Sequence, residues 1–77
     1  MRTILSIAGS DCCANAGIQQ DIKTIIKFNC QFVNVITAVT SQDNNHVTHI
    51  HSIPDRHITA QLNTIAANKI IHAVKIG

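Results

Sequence analysis

The sequence predicts an α/β fold in which three to four mostly parallel strands pack with two helices. Two segments rich in β-branched and other apolar residues, 2–8 and 31–40, show little alternation, which is typical of strands buried on both faces. Two other segments carry apolar residues at positions i, i+4, i+7 and i+8, the spacing of one face of an amphipathic helix. Because strands and helices follow one another along the chain, right-handed crossovers between parallel strands are expected.

The first half of the chain predicts a strand, a helix and a second strand. The strand at 2–8 leads into the polar stretch "GSDCCANAG", and a helix is predicted from 16 to 28. The apolar stripe of this helix consists of Ile18, Ile22, Ile25 and Ile26. Asn29 follows at the place of a C-terminal cap, where Asn tolerates the left-handed backbone better than most other residues. The second strand, at 31–40, ends at the polar cluster "SQDNN".

The second half predicts a short strand, a second helix and a last strand. Residues 47–53 alternate imperfectly and predict the short strand. Pro54 and Asp55 mark a helix start, because proline is tolerated in the first turn of a helix. The apolar stripe of the second helix consists of Ile58, Leu62, Ile65 and Ala66. Residues 70–76, "IIHAVKI", predict the final strand, and the chain forms one small domain without an internal linker or repeat.

Composition and charge exclude several classes of protein. A hydrophobic content of 45% is too high for intrinsic disorder. The net charge of +2 comes from basic residues scattered along the chain rather than grouped in a stripe that could follow a nucleic-acid backbone. No apolar run approaches the roughly 20 residues of a membrane span, and the N-terminal apolar segment is too short for a secretory signal. These observations predict a cytoplasmic protein with neither a nucleic-acid nor a membrane partner.

The polar stretch "GSDCCANAG" is a candidate ligand loop. Ligands of open α/β sheets bind beyond the carboxyl ends of the strands, and this stretch follows the first strand. Its small and polar residues are Gly9, Ser10, Asp11 and Gly17, and it leads to a helix N-terminus, which attracts anions and polar oxygens. The same composition also suits an ordinary connection between a strand and a helix. No G-x-G-x-x-G or G-x-x-x-x-G-K-[ST] pattern is present, which excludes a Rossmann dinucleotide site and a Walker A loop.

Two polar side chains stand out as candidate ligand contacts. Gln42 follows the second strand, and its amide group can donate and accept hydrogen bonds together, which matches the amino and ring nitrogens of a heterocycle. Asp21 lies in the first turns of the first helix. Its carboxylate could contact a ligand there, or it could simply be stabilised by the helix dipole.

The cysteines and histidines raise the question of a metal site, but their spacing favours other roles. Cys12, Cys13 and Cys30 form an odd set without C-x-x-C spacing, so reduced thiols are expected. A helix N-terminus could make Cys12 or Cys13 reactive, although both also suit a loop as small residues. The histidines of "HVTHIHS" have no acidic or thiol residue among them and suit the exposed face of an edge strand. We therefore predict no metal ligand in this chain.

Five segments together resemble one known family. They are "IAGSD", "AGIQQDIKT", "VITAVTSQ", "TAQLNTI" and "AVKIG", and in their order and spacing they cover essentially all 77 residues. The chain resembles the N-terminal portion of hydroxymethylpyrimidine/phosphomethylpyrimidine kinase, a thiamine-biosynthesis family of the ribokinase-like superfamily. The resemblance implies that residues 1–77 are an N-terminal fragment of a ribokinase-like kinase domain and have a partial ribokinase-like fold.

The resemblance also implies a reaction and a binding site. Members of the family use ATP and Mg²⁺ to phosphorylate the hydroxymethyl group of an aminopyrimidine substrate, and then the resulting monophosphate. By this resemblance Gln42 recognises the pyrimidine, Gly9 lies against it, and Asp21 and Thr40 belong to the same substrate pocket. The implied site contains these substrate-binding residues, with no catalytic residue and no metal ligand from this chain.

The first loop departs from the family pattern. Family members usually have serines and a Gly-Gly pair where this chain has Cys12, Cys13, Ala14 and Asn15. They also tend to have glycine in place of Asn29. Alanine costs about 1 kcal/mol where the backbone is left-handed, so Ala14 is expected to be unfavourable if its position requires that conformation.

The length of the chain is a second departure. Family members are much longer and keep their ATP-binding loops, anion hole and catalytic base in the C-terminal part. Phosphoryl transfer depends on positioning those groups, so we expect the chain alone to lack kinase activity and to bind neither ATP nor Mg²⁺. The alternatives are a non-catalytic truncated or split-gene product, or a fragment of a related pyridoxal-type vitamin kinase. Two helices leave part of the sheet uncovered, which predicts self-association or pairing with a complementing C-terminal half.

Overall fold

The computed structural model describes residues 1–43 and 45–77 of the chain. The elements, in chain order, are strand β1 (Thr3–Asp11), helix α1 (Gly17–Lys27), strand β2 (Gln31–Gln42), strand β3 (Val47–Ser52), helix α2 (Asp55–Asn68) and strand β4 (Ala73–Ile76). The predicted order of strands and helices and the predicted α/β class are confirmed. None of the helices within these ranges is both long and apolar enough to cross a membrane.

The four strands form one sheet in the spatial order β3-β2-β1-β4. Strand β1 is central and runs parallel to β2 and to β4, whereas β3 pairs with β2 in the antiparallel direction. Helix α1 supplies the long crossover that parallel neighbours such as β1 and β2 require. Strand β3 is antiparallel because only residues 43–46 separate it from β2, and so short a connection joins antiparallel neighbours.

Strands β1 and β2 both run further than the sequence predicts. The apolar run predicts that β1 ends at Ala8, yet its pairing with β2 continues to Asp11, which lies opposite Thr40. Strand β2 likewise continues past Thr40 to Gln42. Backbone hydrogen bonds of a sheet do not depend on side-chain polarity, so the polar residues after Ala8 remain in the ladder, with one irregularity in its register. The connection to α1 is therefore limited to residues 12–16.

The ends of the two helices follow the predictions closely, whereas β4 begins later than predicted. Asn29 has a φ of 58°, and its backbone N–H donates to the Ile26 carbonyl at 3.0 Å, which confirms the left-handed cap after α1. Helix α2 begins at Asp55, as predicted from the preceding proline. Strand β4 is shorter than predicted because its pairing with β1 begins only at Ala73.

The hydrophobic core is thin and lies where α1 covers β1 and β2. Its buried apolar residues are Leu5, Ala8, Ile18 and Val35. Large apolar side chains that remain exposed include Ile26, Phe28, Ile70, Val74 and Ile76. Within the part of the chain that is described, α2 packs against β2, and the residues of β4 are exposed. These exposures confirm the predicted uncovered apolar surface.

The Gln61 side chain joins α2 to the backbone of β2. Its Nε2 donates to the Ile36 carbonyl at 2.9 Å, and its Oε1 accepts from the Ile36 N–H at 3.0 Å. A side-chain amide carries the same donor and acceptor as a peptide group, so Gln61 pairs with β2 much as a neighbouring strand would. The helix is thereby fixed to the strand at one point along its length.

We expect Gln61→Ala to lower the free energy of unfolding by about 1–2 kcal/mol, because it leaves both backbone groups of Ile36 without their partner. Urea denaturation followed by circular dichroism measures the change. Asn63→Ala, at an exposed position of the same helix, is the matched control and should change the free energy by less than about 0.5 kcal/mol. Equal effects of the two substitutions would contradict the role of Gln61.

Candidate functional site

The carboxylate of Asp11 organises the loop between β1 and α1. Asp11 is buried, and its two oxygens accept hydrogen bonds from the backbone N–H groups of Cys13, Asn15 and Ala16 at 2.8–2.9 Å. Ala16, the N-cap residue of α1, has no side-chain cap of its own. Asp11, at the end of β1, therefore caps the N-terminus of α1 with its side chain.

The same contacts set the charge state of Asp11. The hydrogen bond from the Cys13 N–H lowers the pKa of Asp11 most, burial opposes it, and the N–H groups of Asn15 and Ala16 and the charge of Lys23 lower it further. The net pKa lies below its ordinary value, so the carboxylate is ionised at neutral pH. The sequence predicts Asp11 only as a polar loop residue, although Ala16 at the helix start cannot cap the helix with its own side chain and so points to a cap from elsewhere in the loop.

Gly17 and Gln19 close the loop against β1. Gly17 forms an isolated antiparallel bridge with Ser10 and has a φ of 60°. A Cβ added to Gly17 would lie 2.1 Å from the Gly9 carbonyl oxygen, so only glycine fits. The Gln19 amide accepts from the Asp11 N–H at 2.8 Å and donates to the Ser10 hydroxyl at 2.7 Å. The start of α1 is thus fixed to the carboxyl end of β1.

Gln42 lies at the carboxyl end of β2 in a short chain of hydrogen bonds. Its Nε2 donates to the Thr40 hydroxyl at 2.8 Å, and that hydroxyl donates to the Ser10 carbonyl at 3.0 Å. An amide NH₂ has two hydrogens, so one donor remains on Gln42. Among the described residues no hydrogen bond uses its Oε1. Gln42 therefore presents one donor and one acceptor side by side.

Gly9 belongs to the same pair of strands as Thr40 and Gln42. A Cβ added to Gly9 would lie 3.6 Å from the Ala38 carbonyl oxygen, an ordinary van der Waals distance. The fold itself therefore accepts a side chain at this position. Gly9 lies on β1, and Thr40 and Gln42 lie on the neighbouring strand β2.

Asp21 has different neighbours. It is buried under α1, where its carboxylate accepts from the Ser6 hydroxyl at 2.5 Å and from the Lys75 ammonium at 2.7 Å. Burial raises the pKa of Asp21, but the hydrogen bonds from Lys75 and Ser6 and the charge of Lys75 lower it more, and the net pKa is below its ordinary value. The first turn of α1 contains no acidic residue, so the helix-dipole explanation of Asp21 is wrong. No hydrogen bond within the described ranges joins Asp21 to Gln42, and its place in the substrate pocket stays a prediction.

The cysteines and histidines differ in exposure: Cys30 is half-buried, whereas the histidines of β3 are exposed. Cys12 and Cys13 are exposed free thiols, and the Cys12 S–H donates to the Gln42 carbonyl at 3.4 Å. In the described part of the chain, one group of residues could hold a metal ion: Asp11, Cys12 and Cys13. Their potential ligand atoms lie within 4.8 Å of one another. The histidines of β3 do not belong to it, in agreement with their prediction as exposed polar residues.

Ala14 occupies the left-handed backbone region with a φ of 59°. We therefore expect Ala14→Gly to raise the free energy of unfolding by about 1 kcal/mol, because glycine adopts this conformation without the steric cost of a Cβ. Ala16→Gly is the matched control, since Ala16 has an extended backbone with a φ of −147° and should gain nothing. Chemical denaturation compares the two variants, and a destabilised Ala14→Gly would contradict the expectation.

Residues 11–77 match the family described as phosphomethylpyrimidine kinase. The chain belongs to this family. A hydroxymethylpyrimidine/phosphomethylpyrimidine kinase from Haemophilus influenzae is 42% identical over 77 residues, which are 100% of this chain and 29% of that protein. The match confirms the resemblance on which Gln42, Gly9, Asp21 and Thr40 are expected to be substrate contacts, but it does not itself test those contacts.

Solved structures of vitamin kinases share the fold. The crystal structure of phosphomethylpyrimidine kinase from Clostridium difficile 630 matches with a TM-score of 0.94 and 35% identity, over 100% of this chain and 33% of that one. An ADP complex of Bacillus subtilis pyridoxal kinase matches with a TM-score of 0.90 and 35% identity, over 100% of this chain and 30% of that one. The chain spans about a third of the length of these relatives, and it is related to vitamin kinases of the thiamine and pyridoxal types.

Proposed function

We propose that this chain is the pyrimidine-recognising part of an ATP-dependent hydroxymethylpyrimidine/phosphomethylpyrimidine kinase of thiamine biosynthesis, and that it is inactive as an isolated polypeptide. The observation that carries the proposal is the amide of Gln42, which keeps one donor and one acceptor free of other hydrogen bonds among the described residues. An aminopyrimidine offers the complementary pair, an amino group next to a ring nitrogen.

The neighbours of Gln42 suit a flat, uncharged ring. The Thr40 hydroxyl holds the Gln42 amide by its Nε2 and is itself held by the Ser10 carbonyl, so the amide is oriented before a ligand arrives. Gly9 needs no left-handed backbone and would accept a Cβ without a clash, so the fold does not explain the glycine. Close approach of a ring to the Gly9 backbone explains it.

In this proposal ATP supplies the phosphoryl group, and Mg²⁺ neutralises the charge of the phosphates. We propose no binding site for ATP or Mg²⁺ among the residues of this chain. Lys23 and Lys75 lie near these elements, but each already binds another group of the chain. Lys23 donates to the Ala14 carbonyl at 2.8 Å, and Lys75 pairs with Asp21. The Gln42 side chain is held by a hydroxyl that is itself bonded to a carbonyl, and no cationic group contacts it among the described residues, which suits a heterocycle rather than a triphosphate.

A pyridoxal-type substrate is the second candidate, and the likeness to Bacillus subtilis pyridoxal kinase supports it. The paired donor and acceptor of Gln42 favour the aminopyrimidine, because that ring carries an amino group beside a ring nitrogen and can use both. Cytoplasmic location and pairing with a complementing C-terminal half belong to the same proposal.

Calorimetric titration of the chain with the hydroxymethyl aminopyrimidine and with pyridoxal tests the proposal. We expect the aminopyrimidine to bind more tightly, and Gln42→Leu to weaken its binding about tenfold or more, because each lost hydrogen bond contributes about 1 kcal/mol. Gln20→Leu, on the exposed surface of α1, is the matched control and should bind normally.

An ATP-dependent phosphorylation assay with the same chain tests the second half of the proposal. No turnover is expected from the 77-residue polypeptide alone, and clear turnover would overturn the assignment of inactivity. Tighter binding of pyridoxal, or unchanged binding by Gln42→Leu, would overturn the substrate assignment.

A further inference from the structure

The exposed thiols of Cys12 and Cys13 lie side by side at the start of the loop between β1 and α1. Their Sγ atoms are 4.0 Å apart, and neither takes part in a disulfide. We propose that Cys12 and Cys13 form a chelating site for a soft, thiophilic divalent cation of the Zn²⁺ and Cd²⁺ class. This site is separate from the recognition of the pyrimidine and does not depend on it.

The spacing of the two sulfur atoms suits a single tetrahedral ion. With Zn–S bonds of about 2.3 Å and a tetrahedral angle, two thiolates on one zinc ion lie about 3.8 Å apart. The observed 4.0 Å therefore needs only a small adjustment of the side chains. Both residues are exposed, so an ion can reach the sulfur atoms without opening the core.

The surroundings of the thiols favour a cation. The Asp11 carboxylate lies within 4.8 Å of both sulfur atoms and is fixed by three backbone N–H groups. The negative charge of this carboxylate favours a cation bound between the two sulfur atoms, where it replaces the thiol protons.

Binding is a proton-for-metal exchange without oxidation. One M²⁺ ion and two thiols give one M(SR)₂ unit and two released protons, and the Asp11 carboxylate offers an oxygen donor beside it. Hard cations such as Mg²⁺ prefer oxygen ligands and should not compete. The Cys12 sulfur lies 3.4 Å from the Gln42 carbonyl oxygen, so the bound ion would lie next to the end of β2.

Titration of the reduced chain with Cd²⁺, followed by the ultraviolet absorption of cadmium–thiolate bonds, tests the proposal. We expect one ion per chain, no displacement by Mg²⁺, and a loss of affinity of about 100-fold or more in Cys12→Ser and in Cys13→Ser, because changes beside a metal ligand already cost up to about 100-fold. Cys30→Ser is the matched control, since its thiol lies at the other end of α1 and donates to the Phe28 carbonyl. His46→Ala should also leave the affinity unchanged.

The same titration in urea separates a preformed site from two flexible neighbouring thiols. We expect the folded chain to bind Cd²⁺ at least about tenfold more tightly than the unfolded chain, because folding fixes both thiols and Asp11. Equal affinity in the two states would overturn the proposal. So would one ion per two chains, retention of the absorption by Cys12→Ser or Cys13→Ser, or its loss in Cys30→Ser.

Discussion

Gly17→Ala should lower the free energy of unfolding by about 2–5 kcal/mol. Alanine in the left-handed region costs about 1–2 kcal/mol, and forcing extra atoms into a packed contact costs about 1–3 kcal/mol more. The added Cβ would lie 2.1 Å from the Gly9 carbonyl oxygen, which belongs to the central strand and cannot turn aside as a side chain can. Urea denaturation measures the loss.

The matched control for this substitution is Gly9→Ala. The new Cβ would lie 3.6 Å from the Ala38 carbonyl oxygen, so we expect a change in the free energy of unfolding smaller than about 1 kcal/mol. The same variant should bind the aminopyrimidine less well, since the ring is proposed to lie against this backbone. A Gly17→Ala variant as stable as Gly9→Ala would show that the start of α1 can move away from β1.

Lys75→Met should lower the free energy of unfolding by about 1–2 kcal/mol at neutral pH, because it leaves the buried Asp21 carboxylate with Ser6 as its remaining partner. We expect an energy at the lower end of the usual range for a charged hydrogen bond, because the Lys75 side chain is 56% exposed and water screens its charge. Lys69→Met, at the exposed end of α2, is the matched control. An equal loss in both variants would contradict the specific role of Lys75.

The pH dependence of stability gives this prediction a second measurement. The folded pKa of Asp21 lies below the ordinary value of 3.8, so its ionised form stabilises the fold above that pH, and the contribution is lost as the pH falls through the folded pKa. The wild-type chain should therefore lose stability in acid below about pH 4. In Lys75→Met the lowering by Lys75 is absent and burial is opposed only by Ser6, so the folded pKa of Asp21 rises toward or above its unfolded value, and the loss of stability in acid should shrink or reverse.

The order of the elements could be predicted because hydrophobic periodicity depends on local sequence alone. The stripes of α1 and α2 and the apolar runs of β1 and β2 are each visible within a few residues. The ends of β1 and β2 could not be predicted in the same way. Their last residues are polar, and they remain in the sheet because their backbones pair with each other, an interaction between segments about 30 residues apart.

The candidate site was predictable to a similar degree. Gln42 could be found from the chemistry of its amide at the end of a buried strand. The role of Asp21 as the partner of Lys75 could not, because the two residues are 54 positions apart and nothing local links them. Ala14 was expected to be unfavourable only on the condition of a left-handed backbone, and its φ of 59° meets that condition.

The position of β4 determines the order in which the sheet can assemble. β4 has four residues and, in the described part of the chain, pairs with β1. Just before β4, His72 accepts a hydrogen bond from the Thr3 N–H, although the two residues are 69 positions apart in sequence. Bringing such distant segments together costs chain entropy before any contact compensates for it. The unit of β1, α1 and β2 is contiguous in sequence and can form first. We therefore expect β4 to join the sheet last, so the Asp21 carboxylate gains its Lys75 partner only in the final step of folding.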